Sequence, residues 1–186
     1  GLDESTEVAQ FSSPFDYRNR TILYIPEASF PEPTTQGFHH LVGDRVLDIL
    51  RLSQGRALIL CTSFKGMDAL ATFIEGAFEY PVLVQGRASR NSLLRSFREE
   101  THSVLLAVAS FWEGIDVAGE SLSCLIIDKL PFEVPSDPVI KARIERIKDD
   151  GGKPFFDFQV PRAILTLRQG VGRLMRSVTD RGVIAI

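Results

Sequence analysis

Cysteine is scarce in this chain, and its two copies lie far apart. Cys61 and Cys124 each sit within an apolar run, ALILCTSF and SCLIIDKL, in a sequence of 186 residues. Two distant thiols in such surroundings do not make a disulfide framework, and they lack the paired spacing of zinc or iron–sulfur ligands. The sequence therefore predicts no metal site in this segment and a reducing, cytoplasmic setting.

Long hydrophobic runs are also missing. The longest apolar stretches, such as SVLLAVASF and SLSCLIID, are far shorter than the ~20 residues of a membrane-spanning helix. The opening residues, GLDESTEVAQ, are acidic and have no apolar centre, so they do not resemble a signal peptide. We therefore expect no membrane association.

An excess of charge of one sign is absent as well. The chain has 21 Lys and Arg against 24 Asp and Glu, for a formal net charge of −3. This balance excludes a generally polycationic binder of nucleic acid, although a local basic patch can exist within a balanced total. The 44% content of hydrophobic residues fits one globular domain over residues 1–186.

What the sequence does have is a series of short runs rich in Val, Ile and Leu, separated by segments of helical periodicity. The runs are apolar throughout rather than alternating, which is typical of strands buried on both faces. They are TILYIP, ALILCTSF, PVLVQG, SVLLAVAS, SCLIIDKL and GVIAI, starting at residues 21, 57, 81, 103, 123 and 182. The alternation predicts an α/β fold, with a mostly parallel sheet and helices on both of its faces.

Prolines mark two breaks in this pattern. PEASFPEP, which starts at Pro26, predicts an extended loop across the surface, because its prolines forbid a regular helix. After the fifth strand, Asp137 precedes Pro138, the combination of a capping residue and a proline at the first helical position. We expect the helix PVIKARIERIKDD to begin there and to end at residues 151–152.

Ligands of open parallel sheets bind at the carboxyl ends of the strands, where loops and helix N-termini converge. In this sequence three segments follow strands in that way. They are residues 62–65, 85–86 and 110–116. Their side chains are the first candidates for a binding site.

The segment QGVGRLMR, from Gln169 to Arg176, carries the clearest chemical pattern. If it is helical, Gln169, Arg173 and Arg176 are four and then three residues apart and project from one face. An isolated arginine pair is more often a solvated basic face, but each of two glycines inside a helix costs about 1 kcal/mol relative to Ala. Gly170 and Gly172 therefore favour close approach of a backbone or ligand, and arginine suits phosphate because it can hold two oxygens at once.

The charge balance changes around this segment. From residue 162 onward, five arginines are opposed by a single acid, Asp180. The arginines are Arg162, Arg168, Arg173, Arg176 and Arg181. A basic patch is therefore predicted near the end of the chain, within a total that is negative.

Several segments resemble the motifs of one helicase family. QGVGRLMRSVTDRG resembles the sixth conserved motif of superfamily-two helicases, in the form that the motif has in the DinG/XPD-like branch. SFWEGIDVAGESL resembles the fifth motif of that branch, and LILCTSF resembles the fourth. SSPFDY, VQGRASRNSLLRSFRE, DKLPFEVPSDP and PFFDFQVPRAIL occur in the order expected for bacterial DinG-like helicases. The resemblance covers the chain from about residue 13 to residue 186.

The resemblance implies a RecA-like domain, the second of two motor domains that hold ATP in the cleft between them. The chain has no G-x-x-x-x-G-K-[ST] loop and no Asp-Glu-x-His box, the elements that cradle the phosphates and hold magnesium. By resemblance these parts, most contacts to ATP and Mg²⁺, and any iron–sulfur cysteines belong to an upstream first motor domain. Residues 1–12 are expected to be a lead-in from that domain, and the final strand is expected to stop just before an Asp-x-Arg.

The same resemblance assigns roles near the phosphates. Arg173 and Arg176 would act as arginine fingers on the γ-phosphate, which in related phosphoryl-transfer systems contribute a thousandfold or more in rate. Gln169 would orient the phosphate or its water. Asp116 is a candidate for a ribose hydroxyl and Glu113 for contacting the fingers, although a surface loop with a capping acid is an equal alternative. The cofactor-binding residues implied are Glu113, Gly114, Asp116 and Gly172.

Hydroxyls, amides and loop N–H groups hold a nucleic-acid backbone without reading its sequence. The candidates for this role are Thr62, Ser63, Lys65, Gln85 and Ser110. Trp112 and Phe111 could stack a base, but aromatic residues beside a buried strand more often belong to the core. The same two interpretations apply to Phe155, Phe156 and Phe158.

The leading hypothesis is the C-terminal motor domain of an ATP-dependent DNA helicase that moves on single-stranded DNA, by resemblance from 5′ to 3′, in repair or replication. Its partners would be single-stranded DNA and the first RecA-like domain of the same parent chain. Without that domain, the segment alone is expected to be inactive. The alternative is a RecA-like module that binds single-stranded nucleic acid or a partner protein and hydrolyses nothing.

Overall fold

The computed structural model describes residues 9, 13–27, 30–32, 35, 38–108, 111, 117, 120–133, 137–175 and 177–186. Helices and strands alternate along these residues. In chain order they are α1 (Tyr17–Arg20), β1 (Thr21–Tyr24), α2 (Phe38–Ser53), β2 (Ala57–Cys61), α3 (Phe64–Glu75), β3 (Val82–Val84), α4 (Arg90–Glu99), β4 (Val104–Val108), β5 (Cys124–Ile127), α5 (Pro138–Asp149), a π-helical turn (Phe155–Gln159), α6 (Val160–Val171) and β6 (Gly182–Ala185).

The strands form one parallel sheet in the order β1-β6-β5-β2-β4-β3. Each strand lies within one of the apolar runs of the sequence, and every strand pair is parallel. At the centre of the sheet, Ile59 of β2 is in register with Leu106 of β4 and Ile126 of β5. The predicted α/β architecture is confirmed, because β2, β4 and β5 are buried at every position.

One face of the sheet is covered by α2 and α3. Leu50 of α2 and Ile74 of α3 have no exposed surface and pack with Ile59, Leu106 and other strand residues in one apolar cluster. Burial of a Leu or Ile side chain contributes about 1.5–3 kcal/mol relative to leaving it in water. This layer therefore fixes α2 and α3 on the sheet.

The opposite face is covered by α4 and by residues from the end of the chain. Phe97 of α4 is fully buried and belongs to a second apolar cluster with Leu60, Leu125 and Leu174. Leu167 and Val171 of α6 pack against the same cluster. The chain segment after α6 is thereby tied to the sheet.

Up to Arg168, the helical stretch from Pro154 to Val171 has no counterpart among the sequence predictions. The sequence did not predict a helix here because it has prolines at 154 and 161, and a proline inside a helical pattern normally ends the helix. The structure accommodates Pro161 directly after a π-helical turn, in which the Val160 N–H donates to the carbonyl of Phe155. A turn of this width lets the helix continue past the proline.

The other breaks agree with the predictions. The Asp137 carboxylate caps α5 by accepting from the N–H groups of Val139 at 2.8 Å and Ile140 at 3.2 Å, with Pro138 as the first helical residue. Residues 25–27 and 30–32 contain neither helix nor strand. Among the described residues, no helix combines the length and apolar character needed to cross a membrane.

Candidate functional site

Two loops at the carboxyl ends of β2 and β5 are joined through Thr62 and Asp128. The Thr62 N–H donates to Asp128 Oδ1 at 2.9 Å, and the Thr62 hydroxyl lies 3.5 Å from Asp128 Oδ2. Thr62 was predicted as a phosphate ligand, and its backbone and hydroxyl are both turned to this carboxylate. Asp128 itself was missed, although an acid directly after a continuously apolar run is a signal that could have identified it.

Burial raises the pKa of the Asp128 carboxyl above its ordinary value of 3.8. The bond from the Thr62 N–H and the positive charge of Lys129 oppose this effect without cancelling it. A half-buried carboxylate at the C-terminal ends of the strands can accept a proton from a ligand or a hydrogen bond from a ligand hydroxyl. Here it also fixes the position of the loop that follows β2.

The loop after β2 leads directly into α3. Ser63 Oγ accepts from the Gly66 N–H at 3.1 Å, so this predicted phosphate ligand is the N-cap of the helix. Lys65 is exposed in the first turn. Phe64 beside it is 55% exposed, an unusual position for an aromatic side chain that has no role in the core. Phe64 was not among the predicted site residues.

Gln85 connects the ends of β3 and β4. Its Oε1 accepts from the Val108 N–H at 2.8 Å, and its own N–H donates to the Leu106 carbonyl at 2.9 Å. The predicted ligands Thr62, Ser63 and Gln85 thus lie at one edge of the sheet, as expected, and each has a bond within the protein. Thr62, Ser63 and Lys65 are exposed, and Gln85 is half-buried.

The aromatic residues divide between the core and the surface. Phe111 is buried, and the Arg90 guanidinium lies 4.9 Å from the centre of its ring. Phe158 is buried as well, whereas Phe155 and Phe156 are exposed. The core interpretation is confirmed for Phe111 and Phe158.

The arginine segment differs from its prediction. A common face for Gln169, Arg173 and Arg176 was predicted on the condition that the segment is helical, but α6 ends at Val171. The Arg173 N–H donates to the Gly170 carbonyl and the Leu174 N–H to the Val171 carbonyl, a tighter i to i−3 pattern. The helical condition therefore fails at Arg173: Gln169 is exposed on the helix, and Arg173 is half-buried in the turn that follows it.

Gly172 is the C-cap of α6 and has ordinary helical dihedral angles, with φ of −61°. A Cβ at this position would meet the carbonyl oxygens of Arg168 at 3.2 Å and Gln169 at 3.6 Å, both from the last turn of the same helix. The atoms closest to this position thus belong to the same helix and not to another segment of the chain.

The turn after α6 is fixed by Leu174, which is buried and lies against Gly182 at the start of β6. Strand β6 is parallel to the others, so its first residue is at the amino-terminal end of the sheet. The predicted nucleic-acid ligands after β2 and β3 are at the carboxyl end. The structure therefore places the candidate residues in two groups rather than one.

The predicted basic patch is smaller than the sequence suggests. Arg162 forms an ion pair with Glu133, in which Nε donates to Oε1 at 2.6 Å, and its guanidinium lies 5.4 Å from the ring centre of Phe158. Glu133 precedes the patch by 29 residues along the chain, which is why sequence counting missed it. Arg168 and Arg181 are exposed.

Several predicted site residues lie outside the described part of the chain. They are Ser110, Trp112, Glu113, Gly114, Asp116 and Arg176. The proposed roles of these residues remain predictions.

Comparison with known proteins identifies the family. The helicase C-terminal domain family matches residues 46–186. The chain is 44% identical over its whole length to the ATP-dependent DNA helicase YoaA of Haemophilus influenzae and covers 29% of that relative. It is 35% identical to the ATP-dependent helicase DinG of Mycobacterium tuberculosis, with 94% of the chain aligned to 26% of the relative. The chain thus spans less than a third of these proteins.

Solved structures agree on the fold. An XPD helicase superposes with a TM-score of 0.68 at 21% identity, over 89% of this chain and 31% of the other. The Saccharomyces cerevisiae protein Dbp5, solved with RNA and ADP BeF3, superposes with a TM-score of 0.56 at 17% identity, over 89% of this chain and 34% of the other. These likenesses support a RecA-like fold, and together with the sequence matches they show that the chain belongs to the helicase C-terminal domain family, in its DinG/XPD-like branch.

Proposed function

We propose that the chain is the second motor domain of an ATP-dependent DNA helicase and works together with a first motor domain in its parent protein. The observation that carries the proposal is the family match over residues 46–186 in a chain that has no phosphate-binding loop. The chain covers only 29% of its YoaA relative, which leaves ample length for such a domain. The isolated chain is then expected to hydrolyse no ATP.

Among the described residues, Arg173 would contact the phosphates of ATP. Its turn is held by the burial of Leu174 and Met175, so the guanidinium is carried on a fixed backbone. A fixed guanidinium stabilises the charge that develops on a transferring phosphoryl group, because little reorganisation is needed during the reaction. Exposed Gln169, one helical turn earlier, would orient the phosphate or its water.

The remaining nucleotide contacts in this proposal follow the family motifs. Arg176 would be the second arginine finger. Glu113, Gly114, Asp116 and Gly172 would line the nucleotide side of the domain. ATP, with Mg²⁺, supplies the phosphoryl transfer that drives movement, and both are expected to be held mainly by the first motor domain.

Single-stranded DNA would cross the loop after β2. Lys65 offers an exposed positive charge for a phosphate, and exposed Phe64 offers a ring on which a base can stack. Thr62, Ser63 and Gln85 hold the surrounding loops through their own bonds, and their remaining backbone groups, with Ser110, would contact the strand. These contacts read no sequence, as a motor that moves along DNA requires.

Movement follows from two domains that grip the same strand. Closure of this domain onto the first would bring Arg173 to the phosphates, and hydrolysis would release it, so that alternate closing and opening advances the motor. The family resemblance favours movement from 5′ to 3′ and a role in repair or replication.

The second candidate function is a module that binds single-stranded nucleic acid or a partner protein without hydrolysis. The missing phosphate-binding loop favours it for the chain taken alone. The two candidate functions predict different behaviour of the parent protein, because only the motor requires Arg173 for ATP turnover.

DNA-stimulated ATP hydrolysis by the parent protein tests the motor proposal. We expect Arg173→Ala to lower the turnover rate by about a thousandfold, the effect of removing an arginine finger, without loss of folding. Arg168→Ala is the matched control, because Arg168 is an exposed arginine in the last turns of α6, five residues before Arg173.

The control variant should retain normal turnover. Equal turnover in Arg173→Ala and Arg168→Ala would contradict the finger assignment. If the Arg173→Ala parent protein binds DNA normally and hydrolyses ATP as fast as the original parent protein does, the binding module is favoured.

A further inference from the structure

A cavity of about 780 Å³ lies at the amino-terminal ends of β1, β5 and β6, away from the loops that follow the strands. Its apolar part is formed by Ile22, Ile49, Leu52 and Val183. Ile22 is 67% exposed and Leu52 86% exposed, so these side chains offer apolar surface to a ligand. Strand β1, which carries Ile22, is at the edge of the sheet.

Four arginines surround this apolar surface: Arg18, Arg20, Arg56 and Arg181. No Asp or Glu is among the described residues that line the cavity. None of the four arginines forms an ion pair with a carboxylate in the part of the chain that the structure describes. Their charges add to one another, and the cavity therefore attracts anionic groups.

Two of these arginines are held in place by backbone carbonyls. Arg20 Nη1 donates to the Thr179 carbonyl at 3.0 Å, and Arg56 Nε donates to the Ser53 carbonyl at 2.9 Å. Each bond uses one of the five N–H donors of a guanidinium, and the acceptor is a backbone carbonyl rather than a carboxylate. They position the positive charge without neutralising it.

The backbone at Arg56 is strained. Gln54, Gly55 and Arg56 are left-handed in succession, with φ of 55°, 72° and 48°. This conformation suits glycine and is unfavourable for arginine. The Arg56 carbonyl accepts from the N–H groups of Ser123 at 2.9 Å and Cys124 at 3.0 Å, which fixes the backbone there. Strain retained at a residue with a charged side chain points to a use for that side chain.

The cavity and the arginine turn after α6 share Gly182 as a neighbour but lie on opposite faces of the sheet. It lies beside α2, whose Ile49, Leu52 and Ser53 line it, whereas Leu174 packs in the cluster on the opposite face of the sheet. None of residues 169–175 lines the cavity.

We propose that this cavity, named here the amino-edge pocket, binds an acidic peptide segment of a partner protein. The peptide carboxylates would pair with the arginines, and an apolar side chain of the peptide would lie on the apolar part of the cavity. A nucleic-acid backbone would supply the negative charge but no aliphatic group for Ile22 and Leu52. Arginine and carboxylate form paired, charge-assisted bonds that also fix orientation. The inference is independent of the proposed motor function.

Fluorescence anisotropy with a short labelled peptide that alternates aspartate with leucine tests the amino-edge pocket on the 186-residue chain. We expect saturable binding that weakens as salt is added. Arg56→Gly should weaken it about tenfold, the loss of one charge-assisted contact, while the melting temperature stays equal or rises because the backbone strain is relieved. Arg181→Ala should weaken binding without relieving strain.

Gln54→Gly is the matched control, because Gln54 is equally left-handed but does not line the pocket. It should leave peptide affinity unchanged. Peptides that alternate lysine with leucine, or aspartate with serine, should bind more weakly. Absence of binding by the aspartate–leucine peptide, or equal affinity in Arg56→Gly and Gln54→Gly, would overturn the proposal. Oligothymidylate binding that is lost in Arg56→Gly, with peptide binding unaltered, would overturn it in favour of nucleic acid.

Discussion

Leu174 packs so closely against Gly182 that a Cβ at Gly182 would lie 2.7 Å from Leu174 Cδ1. The contact joins the turn that carries Arg173 to the start of β6. It explains why a glycine opens this strand, since a larger residue would push Leu174 out of its buried position. The geometry of the proposed arginine finger therefore depends on a residue without a side chain.

Gly182→Ala is expected to lower the free energy of unfolding by about 1–3 kcal/mol, the usual cost of overpacking a filled core. Urea unfolding of the isolated chain measures this. Gly76→Ala is a suitable control, because a Cβ at Gly76 would have its nearest neighbours at 3.8 Å and its φ is −77°. A Gly182→Ala chain as stable as the Gly76→Ala chain would show that Leu174 does not fix the turn.

Asp128 should make stability depend on pH. Burial raises its pKa above the ordinary 3.8, so the folded chain holds the proton more tightly than the unfolded chain does. The resulting stabilisation is present below the unfolded pKa and is lost as pH rises through the folded pKa. Asp128→Asn keeps an oxygen for the Thr62 N–H but does not ionise.

The free energy of unfolding of the original chain, minus that of Asp128→Asn, should therefore fall as pH rises from acid toward neutrality and then level off. Urea titrations at a series of pH values give this difference. A difference that stays constant, or rises with pH, would contradict the raised pKa.

Lys65 and Phe64 should contribute to DNA binding in distinguishable ways. Lys65→Ala removes one phosphate contact, so the slope of log affinity against log salt should shrink by about 0.7, the value for a single strand. Phe64→Ala should weaken binding by about 1–3 kcal/mol through lost stacking and leave the slope unchanged. Titration of oligothymidylate into the parent protein at several salt concentrations separates the two.

Lys141, exposed on α5, supplies the control for this experiment. Lys141→Ala should change neither the affinity nor the slope. If Lys65→Ala behaves in the same way, DNA does not cross the loop after β2.

The two thiols should be unreactive in the folded chain. Burial raises the pKa of Cys124 to about 12, against the lowering effect of a hydrogen bond with Ser53. Burial and the nearby Asp128 charge raise the pKa of Cys61 as well. The thiolate is the form that attacks a disulfide reagent, so labelling at neutral pH should occur only after unfolding and should follow the unfolding rate. Rapid labelling of either thiol under native conditions would contradict this.

The fold could be predicted from the sequence because strands buried on both faces leave a direct signal. The run ALILC, for example, is apolar at every position and is buried at every position as β2. The helix around Pro161 gave no such signal, since its continuity depends on a π-helical turn that propensity does not indicate. Local patterns predicted the elements well where burial, rather than backbone geometry, determined them.

The candidate site was less predictable, because its contacts join distant parts of the chain. The pairing of Arg162 with Glu133 and of Thr62 with Asp128 depends on the folded topology. Helical spacing also failed for Gln169 and Arg173, since α6 ends at Val171 once Leu174 turns into the core. Residue types indicated the chemistry, and the sheet determined which residues meet.

ATP hydrolysis by the isolated chain tests most directly the proposal that this chain is one of two motor domains. The chain and its parent protein are compared at equal concentration with single-stranded DNA and Mg²⁺ present. We expect DNA-stimulated turnover by the parent and none by the chain alone. Substantial hydrolysis by the chain alone would contradict the proposal.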